Sequence, residues 1–214
     1  MKEIRLIHGA HSPSQADIRL VNWNGKECVL RDYSSPRSWP FRRLCRWALR
    51  REIKAHRLME GLDGVPALLE VLDPDRYLIE FVEGKALSDL SSDTPPEDLF
   101  FENLSRILRE MHSRGVAHGD LRNKNILIRS DGKPFIIDFS TAWWGISLWR
   151  KPLFSFYKTL DNRRLAKTKA KFAPGTLSEE EKRLLKKDPW YLKVGRLYRH
   201  GLYRLIRSRS RQEP

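Results

Sequence analysis

Apolar and polar residues alternate along "KEIRLI" (2–7) and "ADIRLVNW" (16–23), and this two-residue period predicts strands. Asn24-Gly25 suits the two positive-φ positions of a type I′ turn, so "KECVLRDY" (26–33) returns as the paired strand. The period then lengthens. Over 39–60, Phe41, Leu44, Cys45, Ala48, Leu49 and Ile53 recur at helical spacing and make one apolar stripe. "ALLEVL" (67–72) and "RYLIEFV" (76–82) are two more strands around the turn "DPD" (73–75). The pattern so far is a small sheet with one inserted helix.

"ALSDLSSDTPPED" (86–98) breaks the periodicity and is read as a linker. It ends in a helix start, with Thr94 as N-cap, Pro95 at the first helical position and Glu97 at the third, a capping box. That helix runs to about Ser113 with Phe100, Leu104, Ile107, Leu108 and Met111 on one face, and Gly115 stops it. "NILIRS" (125–130) and "PFIID" (134–138) form short strands around Asp131-Gly132. From about residue 141 the pattern is helical and irregular, and "SEEEKRLLKK" (178–187) opens on a second capping box, Ser178 with Glu181. No internal repeat or low-complexity segment interrupts it.

Composition narrows the class. A chain of 214 residues can build one substantial core, split into two lobes if the linker is real. Cys28 and Cys45 have no zinc-knuckle or disulfide spacing and suit a reduced compartment. The N-terminus lacks a long apolar run, and no uncharged stretch approaches the roughly 20 residues that span a bilayer. A cytoplasmic protein, soluble or peripheral at the inner face of a membrane, is expected. The net charge of +14 favours polyanionic partners: nucleic acid, nucleotide phosphates or an anionic membrane face. It concentrates at 42–57, with seven Lys/Arg against one acid, and at 193–211, with seven against none.

The chemistry lies in "HGDLRNKNIL" (118–127) and "IDFS" (137–140). Phosphoryl transfer needs a group to orient the attacking hydroxyl and cations over the phosphates. Magnesium takes hard oxygen ligands, a carboxylate with an amide oxygen or waters. A loop leaving a helix, followed by a hairpin, can present Asp120 as base and Asn125 as metal ligand on one rim. The second strand then delivers Asp138 opposite them as the metal carboxylate. Taken singly, each is more simply a turn or strand-end residue; the order of all three carries the reading.

These segments resemble the catalytic and metal-binding motifs of the protein-kinase-like fold, H-R-D-L-x-x-x-x-N and D-F-G. The similarity covers roughly residues 1–140. It is to the smaller, atypical members that commonly read His-Gly-Asp: RIO-type kinases, aminoglycoside phosphotransferases, the small kinase of the tRNA-threonylcarbamoyl complex and lipopolysaccharide-core sugar kinases. The resemblance implies an α+β, minimal bilobal fold: an antiparallel N-lobe sheet with one helix (1–85) and a mainly helical C-lobe with a basic tail (86–214). It implies ATP and Mg2+ as cofactors, Asp120 as catalytic base, and Asn125 and Asp138 as metal ligands. It further implies that Glu52 pairs with the phosphate-binding cation, that the backbone of Glu80 to Val82 contacts adenine, and that Val29 packs on the adenine ring.

Three departures qualify the resemblance. Arg31 stands at the third-strand lysine position, keeping the charge on a longer, planar fork, and Lys26 is too close to the turn to substitute. The glycine-rich loop is missing, since "HGAHSPSQ" (8–15) offers only Gly9. Ser140 replaces the final glycine of the metal motif, and no Ala-Pro-Glu follows. With no arginine before Asp120, control by a phosphorylated activation loop is not expected.

The C-terminal third is expected to carry acceptor specificity. "WWGISLWRKPLFSFY" (143–157) is either C-lobe core or an interfacial segment. Asp161 is either a buried aspartate bracing the catalytic loop or, as the preferred reading, a plain N-cap for "NRRLAKTKAK". In the tail, Leu197, Tyr198, Leu202, Leu205 and Ile206 interleave with arginines, which suits an anionic bilayer or, with less support, RNA. The expected function is an ATP- and magnesium-dependent transfer to a hydroxyl acceptor, leaning to a membrane-associated glycolipid such as lipopolysaccharide core. The alternatives are a RIO-like protein serine/threonine kinase and a nucleotide-binding pseudokinase that lost turnover with its lysine.

Overall fold

The structure is a computed structural model and describes residues 2–9, 16–34, 39–91, 95–145 and 151–186. Its N-terminal lobe is a five-stranded antiparallel sheet of β1 (Lys2–His8), β2 (Asp17–Trp23), β3 (Lys26–Asp32), β4 (Leu68–Asp73) and β5 (Arg76–Glu80), in the order β1-β2-β3-β5-β4. Asn24 (φ 51°) and Gly25 (φ 81°) close the β2–β3 hairpin with the two left-handed positions that a type I′ turn requires. Helix α1 (Trp39–Leu58) is inserted between β3 and β4 and covers one face of the sheet. Cys45, Leu49 and Ile53 from the helix pack there with Tyr33, Tyr77 and Ile79, and Val29 borders this cluster. The other face buries Val21, Cys28, Leu30 and Leu78. Because strand side chains alternate, Val29 and Arg31 share the helix-facing side, and Lys26 is left exposed at the turn.

The C-terminal lobe is built on α2 (Asp98–Ser113), α3 (Lys151–Phe172) and α4 (Glu179–Lys186). Two small sheets flank them: β6 (Lys85–Ala86), β8 (Ile126–Ile128) and β9 (Pro134–Ile136) in the order β6-β8-β9, and β7 (Val116–Ala117) paired with β10 (Trp143–Trp144). The apolar face of α2 meets Leu121, Ile126, Ile136 and Phe139 in the largest core cluster. Ala55 in the last turn of α1 and Met59 just beyond it belong to this same cluster, so the helix reaches from one lobe into the other. No helix among the described residues is long and apolar enough to cross a membrane.

Three local expectations change. Helix α2 starts at Asp98, after Glu97 in an extended conformation with no side-chain cap, rather than at Pro95. Pro95 precedes another proline, which disfavours helical backbone there; Thr94 lies outside the described residues. The stretch 86–98 is not all linker, because Ala86 pairs in β6 and Leu87 is fully buried in the core. Asn125 closes a 3-10 turn and does not begin the strand. The second capping box forms as read: Ser178 N–H donates to Glu181 Oε2 (2.8 Å) and Glu181 N–H to Ser178 Oγ (3.2 Å).

Candidate active site

The loop after β7 turns sharply at Gly119, whose φ is +79°. A Cβ there would lie 2.9 Å from both the Thr141 carbonyl oxygen and Tyr157 Cδ1, so backbone conformation and space both demand glycine. His118 fixes the loop from inside. Its Nδ1 accepts from Asp120 N–H (3.2 Å), and its Nε2 lies 2.9 Å from Ile137 O. Those partners define the neutral Nε2–H tautomer, because a carbonyl can only accept. Asp161, fully buried in the middle of α3, accepts from His118 N–H (2.7 Å) and Gly119 N–H (2.8 Å) and lies 3.2 Å from His112 Nε2. It is therefore no N-cap. Ten residues of helix precede it, and its carboxylate satisfies two loop amides that would otherwise be buried without acceptors.

Past Asp120 the loop closes on itself. Arg122 N–H donates to Asp120 O (2.8 Å), Asn125 N–H to Arg122 O (2.8 Å), and Asn125 Nδ2 to Asp120 O (2.9 Å). With its amide nitrogen so engaged, Asn125 keeps Oδ1 as its acceptor atom. Asp120 holds its carboxylate toward solvent, where Arg122 grips Oδ2 through Nε (2.9 Å) and Nη2. Ile137 joins this loop to the following strand, donating its N–H to Asn125 O (2.9 Å) while its carbonyl meets His118.

The next residue, Asp138, adopts a left-handed backbone (φ 68°, ψ 74°), which aspartate tolerates better than most residues. Its Oδ1 lies 3.0 Å from Arg31 Nη2, and the same nitrogen lies 2.6 Å from Glu52 Oε1. One guanidinium nitrogen from β3 thus joins a carboxylate of α1 to one of the C-terminal lobe. Glu52 faces Arg31 because it shares the sheet-covering side of α1 with Leu49 and Ile53. Burial opposes the Arg31 charge, but Glu52 and then Asp138 outweigh it and hold the guanidinium well above its ordinary range. At Glu52 burial wins over Arg31 and raises the carboxyl pKa. At Asp138 burial raises and Arg31 lowers, and the net result is below the usual carboxylate range.

The structure therefore brings Arg31, Glu52 and Asp138 into one cluster and Asp120 and Asn125 into one loop, with Ile137 linking the two groups. Asn125 Oδ1 and the Asp138 carboxylate are the hard oxygens a magnesium ion would use, together with phosphate oxygens. Among the described residues no group of three or more His, Cys, Asp or Glu could hold a metal without such help. Val29 lies half-buried on the helix-facing side of β3. Glu80 ends β5, and its N–H and carboxylate both engage Ala67, at 2.9 and 3.1 Å, which removes that N–H from any hinge contact. Val82 follows, half-buried. Most of the 8–15 loop and the whole 193–211 tail lie outside the described residues. In the aromatic segment, Phe154 is buried and half-buried Trp143 stacks on Tyr157 at 5.9 Å between centroids, while Leu153 is exposed.

Two functional contacts escaped the sequence reading. Arg51 donates to Ala142 O at 2.7 Å and lies over the Trp47 and Trp143 rings, tying the basic helix to the C-terminal lobe. The grip of Arg122 on Asp120 is the other, and no spacing in the sequence signals it.

Residues 29–143 match the family model of the RIO domain. The chain is 31% identical over 144 residues to the EKC/KEOPS complex subunit BUD32 of Encephalitozoon cuniculi, covering 64% of this chain and 70% of that protein. It is 32% identical over 82 residues to the KEOPS complex subunit Bud32 of Pyrococcus abyssi, where the match spans 37% of each chain. A solved structure of Rio2 kinase from Chaetomium thermophilum, a complex with ADP/Mg2+ and phosphoaspartate, superposes with a TM-score of 0.60 at 23% identity, over 86% of this chain and 61% of that one. That likeness is one of fold.

Proposed function

The chain belongs to the RIO-domain family of atypical protein-kinase-like proteins, and from that premise we propose that it is a RIO-type phosphotransferase moving the γ-phosphate of Mg-ATP to a hydroxyl acceptor. The observation that carries the reading is Arg31 Nη2 between Glu52 and Asp138. A cation held at the seam of the lobes, beside a carboxylate of lowered pKa, is what a triphosphate and its metal need. The Rio2 complex with ADP/Mg2+ supports the same cofactors here.

In this reading Asp120 accepts the hydroxyl proton as the acceptor oxygen bonds to the γ-phosphorus. The bond from that phosphorus to the bridging oxygen breaks, and ADP leaves with the electron pair. Arg31 offsets charge on the transferred group's neighbours, and His118 and Asp161 hold the loop that aims Asp120. Magnesium, held by Asn125 and Asp138, would neutralise the phosphate oxygens. Val29 and the 80–82 backbone would receive the adenine.

For the acceptor, the RIO domain and the KEOPS relatives favour the RIO-like protein kinase over a glycolipid. A lipid acceptor rests on the basic amphipathic pattern of the tail alone. The pseudokinase reading turns on Arg31, and its geometry argues against that reading, since the arginine reaches both carboxylates a lysine would.

The test separates binding from turnover. Mg-ATP at about 100 times its dissociation constant should stabilise the fold by roughly 2.7 kcal/mol. Asp120→Asn should keep that shift and lose turnover by about 100-fold or more. Absence of any shift at millimolar Mg-ATP removes nucleotide binding; equal turnover in wild type and variant removes Asp120 from the chemistry.

A further inference from the structure

A cavity of about 430 Å3 opens between the catalytic loop and α3. Arg122 and Lys124 line it from the loop, and Arg164, Lys167 and Lys171 from the helix; its lining includes no carboxylate. Residues 164, 167, 168 and 171 fall at i, i+3, i+4 and i+7, which is one helix face. This face carries three exposed cations, and only Thr168 on it is buried. The buried Thr168 hydroxyl donates to Asn123 Oδ1 at 2.7 Å and pins the face against the loop turn, while the five cations remain exposed around the rim. Like charges at such spacing repel, and an anion among them offsets that repulsion.

Arg122 belongs to this rim and also grips Asp120. An anion in the cavity competes with Asp120 for the same guanidinium. We propose that the cavity binds a phosphate ester carried by the acceptor itself, and that this phosphate draws Arg122 off Asp120 as the acceptor's hydroxyl arrives. The inference rests on the phosphotransfer reading and replaces the protein acceptor favoured there with a phosphate-bearing sugar or nucleotide. Phosphate is favoured over a carboxylate by the number and spread of cations. From Arg164 to Lys171 the helix rises about 10 Å at roughly 1.5 Å per residue, room for a bulky phosphate ester or two successive ones. A small sugar phosphate and a nucleic-acid strand present this same group.

The test uses the full chain without nucleotide. Ribose 5-phosphate and a short single-stranded oligoribonucleotide are the charged probes; ribose and the same oligonucleotide with an uncharged methylphosphonate backbone are their controls. Binding of either charged probe above its control supports the proposal, and the probe that binds identifies the source. The combined variant Arg164→Gln, Lys167→Gln, Lys171→Gln should weaken that binding at least tenfold. For the oligonucleotide, the slope of log K on log salt should fall by about 0.7 per contact removed. The exchange Arg164→Lys, Lys167→Arg, Lys171→Arg should retain binding, showing that charge is what matters. Charged probes binding no better than their controls, or unchanged binding by the glutamine variant, overturns the proposal. The Mg-ATP melting shift, measured in parallel, should be equal in all three proteins. Its absence in wild type would sink the kinase reading while leaving the cavity's phosphate binding to be judged by the probes.

Discussion

Asp161→Ala removes the only carboxylate that reaches the His118 and Gly119 amides among the described contacts. Each buried N–H left without an acceptor costs about 1–3 kcal/mol, so the pair should cost about 4 kcal/mol. Asp161→Asn keeps one acceptor oxygen but turns an NH2 toward a backbone N–H, and about 2 kcal/mol is expected. In a chain of this length 1 kcal/mol moves Tm by about 2–4 °C. Circular dichroism should therefore show losses of about 4–8 °C for asparagine and about 8–16 °C for alanine. Hydrogen exchange should accelerate at the 118–120 amides before the rest of α2 and α3 is affected. On the proposed function, turnover falls at least tenfold in the asparagine variant while the Mg-ATP shift persists, because the loop that aims Asp120 is released and Arg31, Glu52 and Asp138 are not touched. An alanine variant melting within 2 °C of wild type would refute the bracing role of Asp161 outright.

Three further outcomes follow from the same geometry. Arg31→Ala strands the fully buried Glu52 without its cation and should cost about 3–5 kcal/mol in urea unfolding, whereas Arg31→Lys should keep most stability and the Mg-ATP shift; an alanine variant as stable as wild type contradicts the pairing. Burial lowers the His56 pKa from 6.5 to about 4, so the native state binds neutral imidazole while the unfolded chain takes a proton near 6.5. Stability should then be full above about pH 7 and fall by up to about 3 kcal/mol as pH drops from 6.5 to 4. His56→Asn, which preserves a donor for Pro66 O, should flatten that segment of the curve; an unchanged slope assigns it to other groups. Gly119→Ala should lose about 2 kcal/mol or more, because the left-handed backbone and the contact with Thr141 O both resist a Cβ, while Gly25→Ala, in open space at the same φ, should lose only about 1 kcal/mol; equal losses in calorimetry would mean the contact relaxes freely.

The strands and helices of the N-terminal lobe were legible because each buries one face and so repeats at its own period. Counting from the Asn24-Gly25 turn left the strand register open by a residue or two, and the structure sets Arg31 opposite Tyr77, on the side that faces α1. Residues 86–98 misled because composition there is polar while Leu87 fills a core position and Leu90 packs against that core; two anchors are too few to show a period. Asp161 misled for a related reason. An aspartate before a basic helical run suits an N-cap, and only the spacing 161, 165, 168, 172, which puts it on the buried face with Leu165, Thr168 and Phe172, pointed to the interior. The motif residues Asp120, Asn125 and Asp138 could be listed from the sequence, but Arg122 on Asp120 could not, since nothing in spacing says which way an exposed arginine turns.

Both hydrogen-bonding groups of the Ile137 backbone are taken by the 118–125 loop, one by Asn125 and one by His118. The strand end bearing Asp138 cannot slide without carrying the loop that bears Asp120. Their mutual orientation is settled when the chain folds, so its entropic cost falls on folding and none of it on ligand capture. A visiting molecule meets two carboxylates already in one frame, and its affinity need not be diverted to assembling them. On the opposite wall Arg31 and Glu52 are tied to the same frame, through Asp138 and through the end of α1 packed in the C-terminal core.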